Sequence, residues 1–124
     1  MLYEKDLTDK IIGAALEVHR TLGPGLLEST YAACLAHELT LRGVSFEKEK
    51  SLPVRYKDVL LDCGYRLDFL IDGKVIVELK AVEALNDIHT AQLMTYLRLT
   101  GCRVGLLMNF NIEKLRDGIV RRVI

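Results

Sequence analysis

Asp68, Glu78 and Lys80 are the residues of this 124-residue chain whose types and spacing could do chemistry. They lie in the stretch YRLDFLIDGKVIVELK, residues 65–80, which otherwise reads as an apolar β-hairpin. Leu67, Phe69 and Ile71 alternate along the first arm, and Val75, Val77 and Leu79 along the second. Asp68, Glu78 and Lys80 fall between them, so a period of two points each away from that apolar face. Two carboxylates offer hard oxygen ligands to a divalent cation, and an ammonium beside them can orient or activate a nucleophile. That is the make-up of a metal-dependent phosphodiester-hydrolysing site. The plainer reading is a solvated hairpin face with ordinary surface charges, Lys80 forming a salt bridge with Glu78.

The register of the hairpin decides whether the three groups meet. A two-residue Asp72-Gly73 turn sets Asp68 opposite Val77, on the wrong face from Glu78. A three-residue loop, Ile71-Asp72-Gly73 with Gly73 left-handed, sets Asp68 opposite Ile76 and diagonal to Glu78. The second register is expected, because the first would bury a carboxylate among valines without a partner.

These residues need a core to hold them. The chain is long enough for one domain, 1–124, with one core, and too short for two. Half of it is hydrophobic, and 17 basic residues balance 17 acidic ones. With no global basic field, any nucleic-acid binding must come from a local patch, which argues against a tight, non-specific DNA-coating protein. Cys34, Cys63 and Cys102 are widely spaced and form no C-x-x-C pair. Two of them fall in apolar periodic segments, so buried free thiols in a reducing, cytoplasmic setting are expected. No signal peptide, membrane span or zinc-ligand spacing is seen. No G-x-x-x-x-G-K-[ST] or G-x-G-x-x-G element cradles a nucleotide, which places an enzyme of small phosphorylated molecules last among the readings.

Period and punctuation then give the elements. Thr8-Asp9-Lys10 can cap a helix reaching about Thr21, stopped by Gly23-Pro24-Gly25. A second helix runs from Leu26 or Leu27 to Gly43, and the two should pack as a helical hairpin. From Val44 the period changes to two. Strands are expected around 46–56, with Pro53 favouring an edge, and around 59–61, before the hairpin described above. Asn86 or Asp87 can cap a third helix closed by Gly101. Residues 104–108, VGLLM, suit a strand covered on both faces, and 119–123 a last strand. The result is an α/β (α+β) domain of order ααβββαββ, with a mixed central sheet flanked by helices.

An α-β-β-β-α-β core with Asp68, nine residues, then Glu78-Leu79-Lys80 resembles the PD-(D/E)xK nuclease superfamily, with its restriction-endonuclease-like core. Leu67 stands where that motif writes its proline. Gly25-Leu26-Leu27-Glu28-Ser29-Thr30-Tyr31 matches Gly-x-x-Glu-x-x-Tyr, the signature of the small GxxExxY proteins assigned to that superfamily. Gln92-Leu93-Met94-Thr95-Tyr96 resembles the Gln-x-x-x-Tyr that follows the catalytic strand in RecB-like relatives. The three elements stand in the right order and together cover roughly residues 8–110.

The resemblance implies a Mg²⁺- or Mn²⁺-dependent nuclease acting on DNA or RNA. Asp68 and Glu78 would hold the metal, the Leu79 carbonyl adding a ligand and Glu28 facing it directly or through water. Lys80 would position the attacking water, Gln92 would bind that water, Lys80 or a phosphate, and Tyr96 would orient Gln92. Each has a plainer explanation beside it. Glu28 in a first helical turn is favoured by the helix dipole alone. Tyr31 suits core packing with a polar tip, and Gln92 and Tyr96 suit a polar helix face. His89 shares that face and is read as structural. Arg98, Arg103, Arg116, Arg121 and Arg122 are candidates for a phosphate-binding patch or simply scattered surface charges. Specificity would have to come from a homodimer, a partner chain or substrate shape. The rival from another class is a catalytically silent nuclease-fold module that binds nucleic acid or serves as a scaffold.

Overall fold

Three helices pack against a mixed five-stranded sheet in the computed structural model, which describes residues 2–124. Helix α1, Lys5–Leu22, buries Ile11, Ala14, Ala15 and Val18, the spacing that puts one apolar stripe on a core. It starts three residues ahead of the expected Thr8 cap. Glu4 is left-handed (φ 55°) and its carbonyl accepts the Thr8 amide at 2.8 Å. Thr8 is therefore inside the helix, its hydroxyl turned back onto the Lys5 carbonyl.

Gly23, at φ 69°, ends α1, and helix α2, Glu28–Leu41, follows after a five-residue break, 23–27. Tyr31 holds that break together. Its buried ring stacks on Phe110 with centroids 4.7 Å apart. Its hydroxyl donates to the Gly23 carbonyl at 2.5 Å and accepts from the Leu26 amide at 3.1 Å. The Tyr of the Gly-x-x-Glu-x-x-Tyr signature thus latches the loop that contains its Gly25, and Glu28 follows that loop as the first residue of α2.

The sheet order is β1 (Phe46–Ser51), β4 (Arg66–Ile71), β5 (Val75–Lys80), β6 (Val104–Asn109), β7 (Ile119–Val123). Only β5 and β6 run parallel, joined by the crossover helix α3, Asp87–Thr100. The expected order ααβββαββ is that of this main sheet. The strands β2 (Val54–Tyr56) and β3 (Val59–Leu61) form a separate two-stranded hairpin inserted between β1 and β4. The chain leaves the sheet at Leu52-Pro53, where proline has no amide to continue a ladder.

Both faces of the sheet are covered. Phe69, Ile71, Val75, Val77, Leu79, Val104, Leu106 and Met108 pack beneath α1 and α2. Ile76 and Leu107 pack beneath Leu93, Tyr96 and Leu97 of α3. The second arm of the hairpin is therefore not solvated on its charged side. Asn86 caps α3 by accepting from the Ile88 and His89 amides, and His89 Nδ1 returns the bond by accepting the Asn86 amide at 3.1 Å. All three cysteines are free, but none is fully buried. Cys34 lines an open groove between α1 and α2, and Cys63 is exposed at the foot of the β2–β3 hairpin. Among the described residues no helix is long and apolar enough to cross a membrane.

Replacing Tyr31 by Phe keeps the stacked ring but strips Gly23 and Leu26 of their shared partner. Urea unfolding should show a loss of about 1–2 kcal/mol, with no change in far-UV circular dichroism.

Candidate active site

The turn between β4 and β5 sets the site. Asp72 (φ 52°) and Gly73 (φ 66°) are both left-handed, and the Lys74 amide donates to the Ile71 carbonyl at 2.9 Å. The pairs are Ile71 with Val75, Leu70 with Ile76 and Phe69 with Val77. The unpaired loop is thus Asp72-Gly73-Lys74, one residue later than expected. Ile71 is wholly buried, and placing it in the loop would have exposed an apolar side chain in place of a lysine. The correction favours the site, because continuing this register brings Asp68 opposite Glu78 instead of Ile76.

The ladder stops there. Beyond Phe69 and Val77, β4 continues only against β1, and β5 only against β6. Side chains close the gap. Glu78 Oε2 accepts the Asp68 amide at 2.7 Å, and Asp68 Oδ2 accepts the Leu79 amide at 2.8 Å. Each acid satisfies the opposite strand's backbone at the point where the strands fork. The alternation of β4 slips at the same step. Leu67 packs on the α3 side while Phe69 packs on the α1–α2 side. In β1 the pairing skips from Lys48–Phe69 to Lys50–Leu67, leaving left-handed Glu49 (φ 56°) beside Asp68. Asp68 therefore does not share a clean face with Glu78 and Lys80. It opens toward α2.

The electrostatics follow from that burial. Glu78 is only 4% exposed. Desolvation, and then repulsion from Asp68, raise its carboxyl from the ordinary 4.5 to about 8. Burial raises Asp68 as well, with the Leu79 amide and the Lys80 ammonium opposing the shift and Glu49 adding to it. Glu28 is largely exposed, yet partial desolvation at the groove mouth still lifts it. Lys80 opposes that rise and Asp68 reinforces it. Lys80 is half-buried and makes no ion pair among the described residues, so the plain salt bridge to Glu78 is not formed.

Two opposed carboxylates that resist ionisation together fit one divalent cation, which would offset both charges. Among the described residues no three His, Cys, Asp or Glu side chains are close enough to hold a metal alone. The donor set is a carboxylate pair, the pattern suited to a cation that keeps waters and binds substrate phosphate.

The expected site residues do not share one groove, and Glu78 and Lys80 line neither of the two that hold the others. Asp68, Leu79 and Glu28 line one of ≈ 420 Å³, together with Glu49. Gln92 and Tyr96 line another of ≈ 510 Å³, against Tyr65 and the β2–β3 hairpin. Gln92 is thus not in the Asp68 groove, because α3 crosses the opposite face of the sheet. Tyr96 adjoins the fork from that side: burial first, then the charges of Glu78, Tyr65 and Asp68, raise its phenol. His89 serves the α3 cap. The arginines divide: Arg103, over the Tyr3 ring, and Arg121, bonded to the Tyr3 carbonyl, gather at Tyr3, while Arg98 bonds Thr95 of the Gln92 groove.

Two residues of the site's surroundings do not follow from the sequence motifs. Glu49 sits in a run of alternating charges, FEKEKS, that marks no one of them. Buried Asn109 ends the apolar run of β6, and its Oδ1 accepts from Val82 and Asn111 while its Nδ2 donates to the Val82 carbonyl. With the Phe110 amide on the Lys80 carbonyl at 2.8 Å, it fixes the exit of β5. A polar residue closing a continuous apolar strand was the available cue.

The family model described as the PD-(D/E)XK nuclease superfamily matches residues 5–123. No curated protein and no solved structure matches the chain.

Between pH 4.5 and about 8 the unfolded chain has lost the Glu78 proton while the folded chain keeps it. Raising the pH through that window therefore favours unfolding. In chelator, thermal melts should show stability falling from pH 5 to pH 8. Glu78→Gln should flatten much of that slope, and added Mn²⁺ should stabilise the wild type most at the upper end.

Proposed function

Because the chain belongs to the PD-(D/E)XK nuclease superfamily, we propose that it is a metal-dependent nuclease hydrolysing phosphodiester bonds of DNA or RNA. One observation carries this reading: Asp68 and Glu78 oppose one another across the fork, each with a carboxylate oxygen left over from its backbone bond. Asp68 and Glu78 would hold Mg²⁺ or Mn²⁺, with the Leu79 carbonyl and, through water, Glu28 as further donors. When bound, that ion supplies the positive charge a phosphodiester needs as negative charge builds on its oxygens.

The chain's own residues do the rest. Lys80, free of any ion pair among the described residues, is available to hold the attacking water and to meet a phosphate oxygen. Its placement is rigid, since β5 is pinned on one side by β6 and at its end by Asn109. Glu28 is delivered to the rim by the Tyr31 latch. Tyr96 closes the α3 side against water, and Gln92 reaches substrate from the neighbouring groove rather than the attacking water. Three unpaired cysteines suit a cytoplasmic protein.

A second reading, a nuclease-fold module that binds without cutting, is favoured by the structural task Asp68 and Glu78 already perform for the backbone. Cleavage of labelled single- and double-stranded DNA and RNA separates the two. Mg²⁺ or Mn²⁺ should support cleavage, chelator should stop it, and Asp68→Ala and Lys80→Ala should each cost at least about a hundredfold in rate. A folded protein that cleaves none of these substrates leaves the binding module as the reading.

A further inference from the structure

The groove on the α3 side has an apolar, aromatic lining that the acidic fork lacks. Tyr65, Tyr96, Val54 and Leu99 give it apolar walls, and Gln92 and Thr95 give it hydrogen-bonding groups. Tyr65 is 47% exposed, three residues from half-buried Asp68. The ring is nonetheless held in place. It packs edge-on to Tyr96 with centroids 6.3 Å apart, and the Tyr65 carbonyl accepts the Leu52 amide at 2.9 Å. Gly64, at φ 78°, makes the sharp corner before it and bonds the Asp62 side chain. At the rim, the Arg98 guanidinium donates to the Thr95 hydroxyl at 3.1 Å and has no acidic partner among the described residues.

We propose that this groove takes an unstacked nucleobase from a single strand lying across the Asp68–Glu78 fork, with Tyr65 as its stacking platform. The inference rests on the nucleic-acid reading above and names its substrate class: single-stranded segments, not intact duplex. The open face of Tyr65 matches the flat face of a base, and stacking of this kind tolerates any sequence. The Gln92 amide offers both a donor and an acceptor to a base edge. Arg98 stands where the adjoining phosphate would pass, and its planar guanidinium suits that contact. A duplex keeps its bases stacked and paired, so it cannot present one to the groove without paying to flip it.

Equilibrium binding of the full chain in chelator tests this apart from cleavage. Fluorescence anisotropy would use oligonucleotides of about ten residues, as single-stranded DNA, single-stranded RNA and blunt duplex. A fluorescent base analogue in the single strand reports stacking directly by quenching. Both single strands should bind more tightly than duplex. Tyr65→Ala should weaken them roughly tenfold and abolish quenching, Tyr65→Phe should preserve both, and Gln92→Ala should give a smaller loss. Tyr65 is exposed enough that Tyr65→Ala should melt within a few degrees of wild type. Equal affinity for duplex and single strand, binding unmoved by Tyr65→Ala, or equal losses in the Ala and Phe variants would overturn the proposal. So would sedimentation showing that Tyr65→Ala splits a dimer while oligonucleotide affinity stays unchanged. Binding that follows this pattern without metal-dependent cleavage keeps the groove and removes the nuclease. Cleavage with Tyr65-independent binding does the reverse.

Discussion

The exchange of bonds at the fork, Glu78 to the Asp68 amide and Asp68 to the Leu79 amide, is what the rest of the site depends on. Where β4 and β5 part, two backbone amides would otherwise be stranded in a nearly dry interior, at about 1–3 kcal/mol each. Two carboxylates in the same place would, unpartnered, resist burial even more strongly. Each defect repairs the other. Neither acid can be replaced by an apolar residue without orphaning an amide, and the strands cannot close up without expelling the acids. A gap lined with anionic oxygen is thus built into the sheet itself.

The flanking strands keep the fork open. β1 draws β4 away on one side, and β6 holds β5 on the other through six consecutive pairs, from Val75–Val104 to Lys80–Asn109. The parallel β5–β6 contact is possible only because α3 carries the chain back across the sheet. Gly105 lets α3 sit close: a Cβ there would fall 2.7 Å from the Leu93 side chain. Lys80 and Glu78 therefore stand on a strand that β6 pairs along its whole length, whereas Glu28 and Glu49 belong to the rim.

Much of this was legible in the sequence, and the misses share a cause. The helices, the order of elements along the chain and the spacing of Asp68, Glu78 and Lys80 follow from period, caps and motif, which are local. The register of the turn was one residue off because it depended on whether Ile71 or Lys74 is buried, and burial is set by the helices above. The division of Glu28 and Gln92 between two grooves was not legible, because nothing in either motif says which face of the sheet its helix covers. Glu49 was missed for a third reason. Its left-handed backbone answers the slip at Asp68 in the neighbouring strand, and only the three-dimensional pairing reveals it.

Charge finally orders the two grooves. Around the fork stand Asp68, Glu78, Glu28 and Glu49, with Lys80 and Lys48 as the cations felt by Asp68. A phosphodiester approaching from the α2 side meets more anion than cation unless positive charge arrives with it or protons remain on the acids. The chain as a whole offers no basic field to overcome that, since its charges cancel. The α3 side differs: the Tyr65 groove is lined by no acidic side chain and is bordered by Arg98. A nucleic acid held there in the proposed way would still feel Glu78 and Asp68 through Tyr96, but would meet less repulsion than at the fork. In the proposed reading, separating the place that would hold the strand from the place that would cut it would let Asp68, Glu78, Glu28 and Glu49 stand near a polyanion.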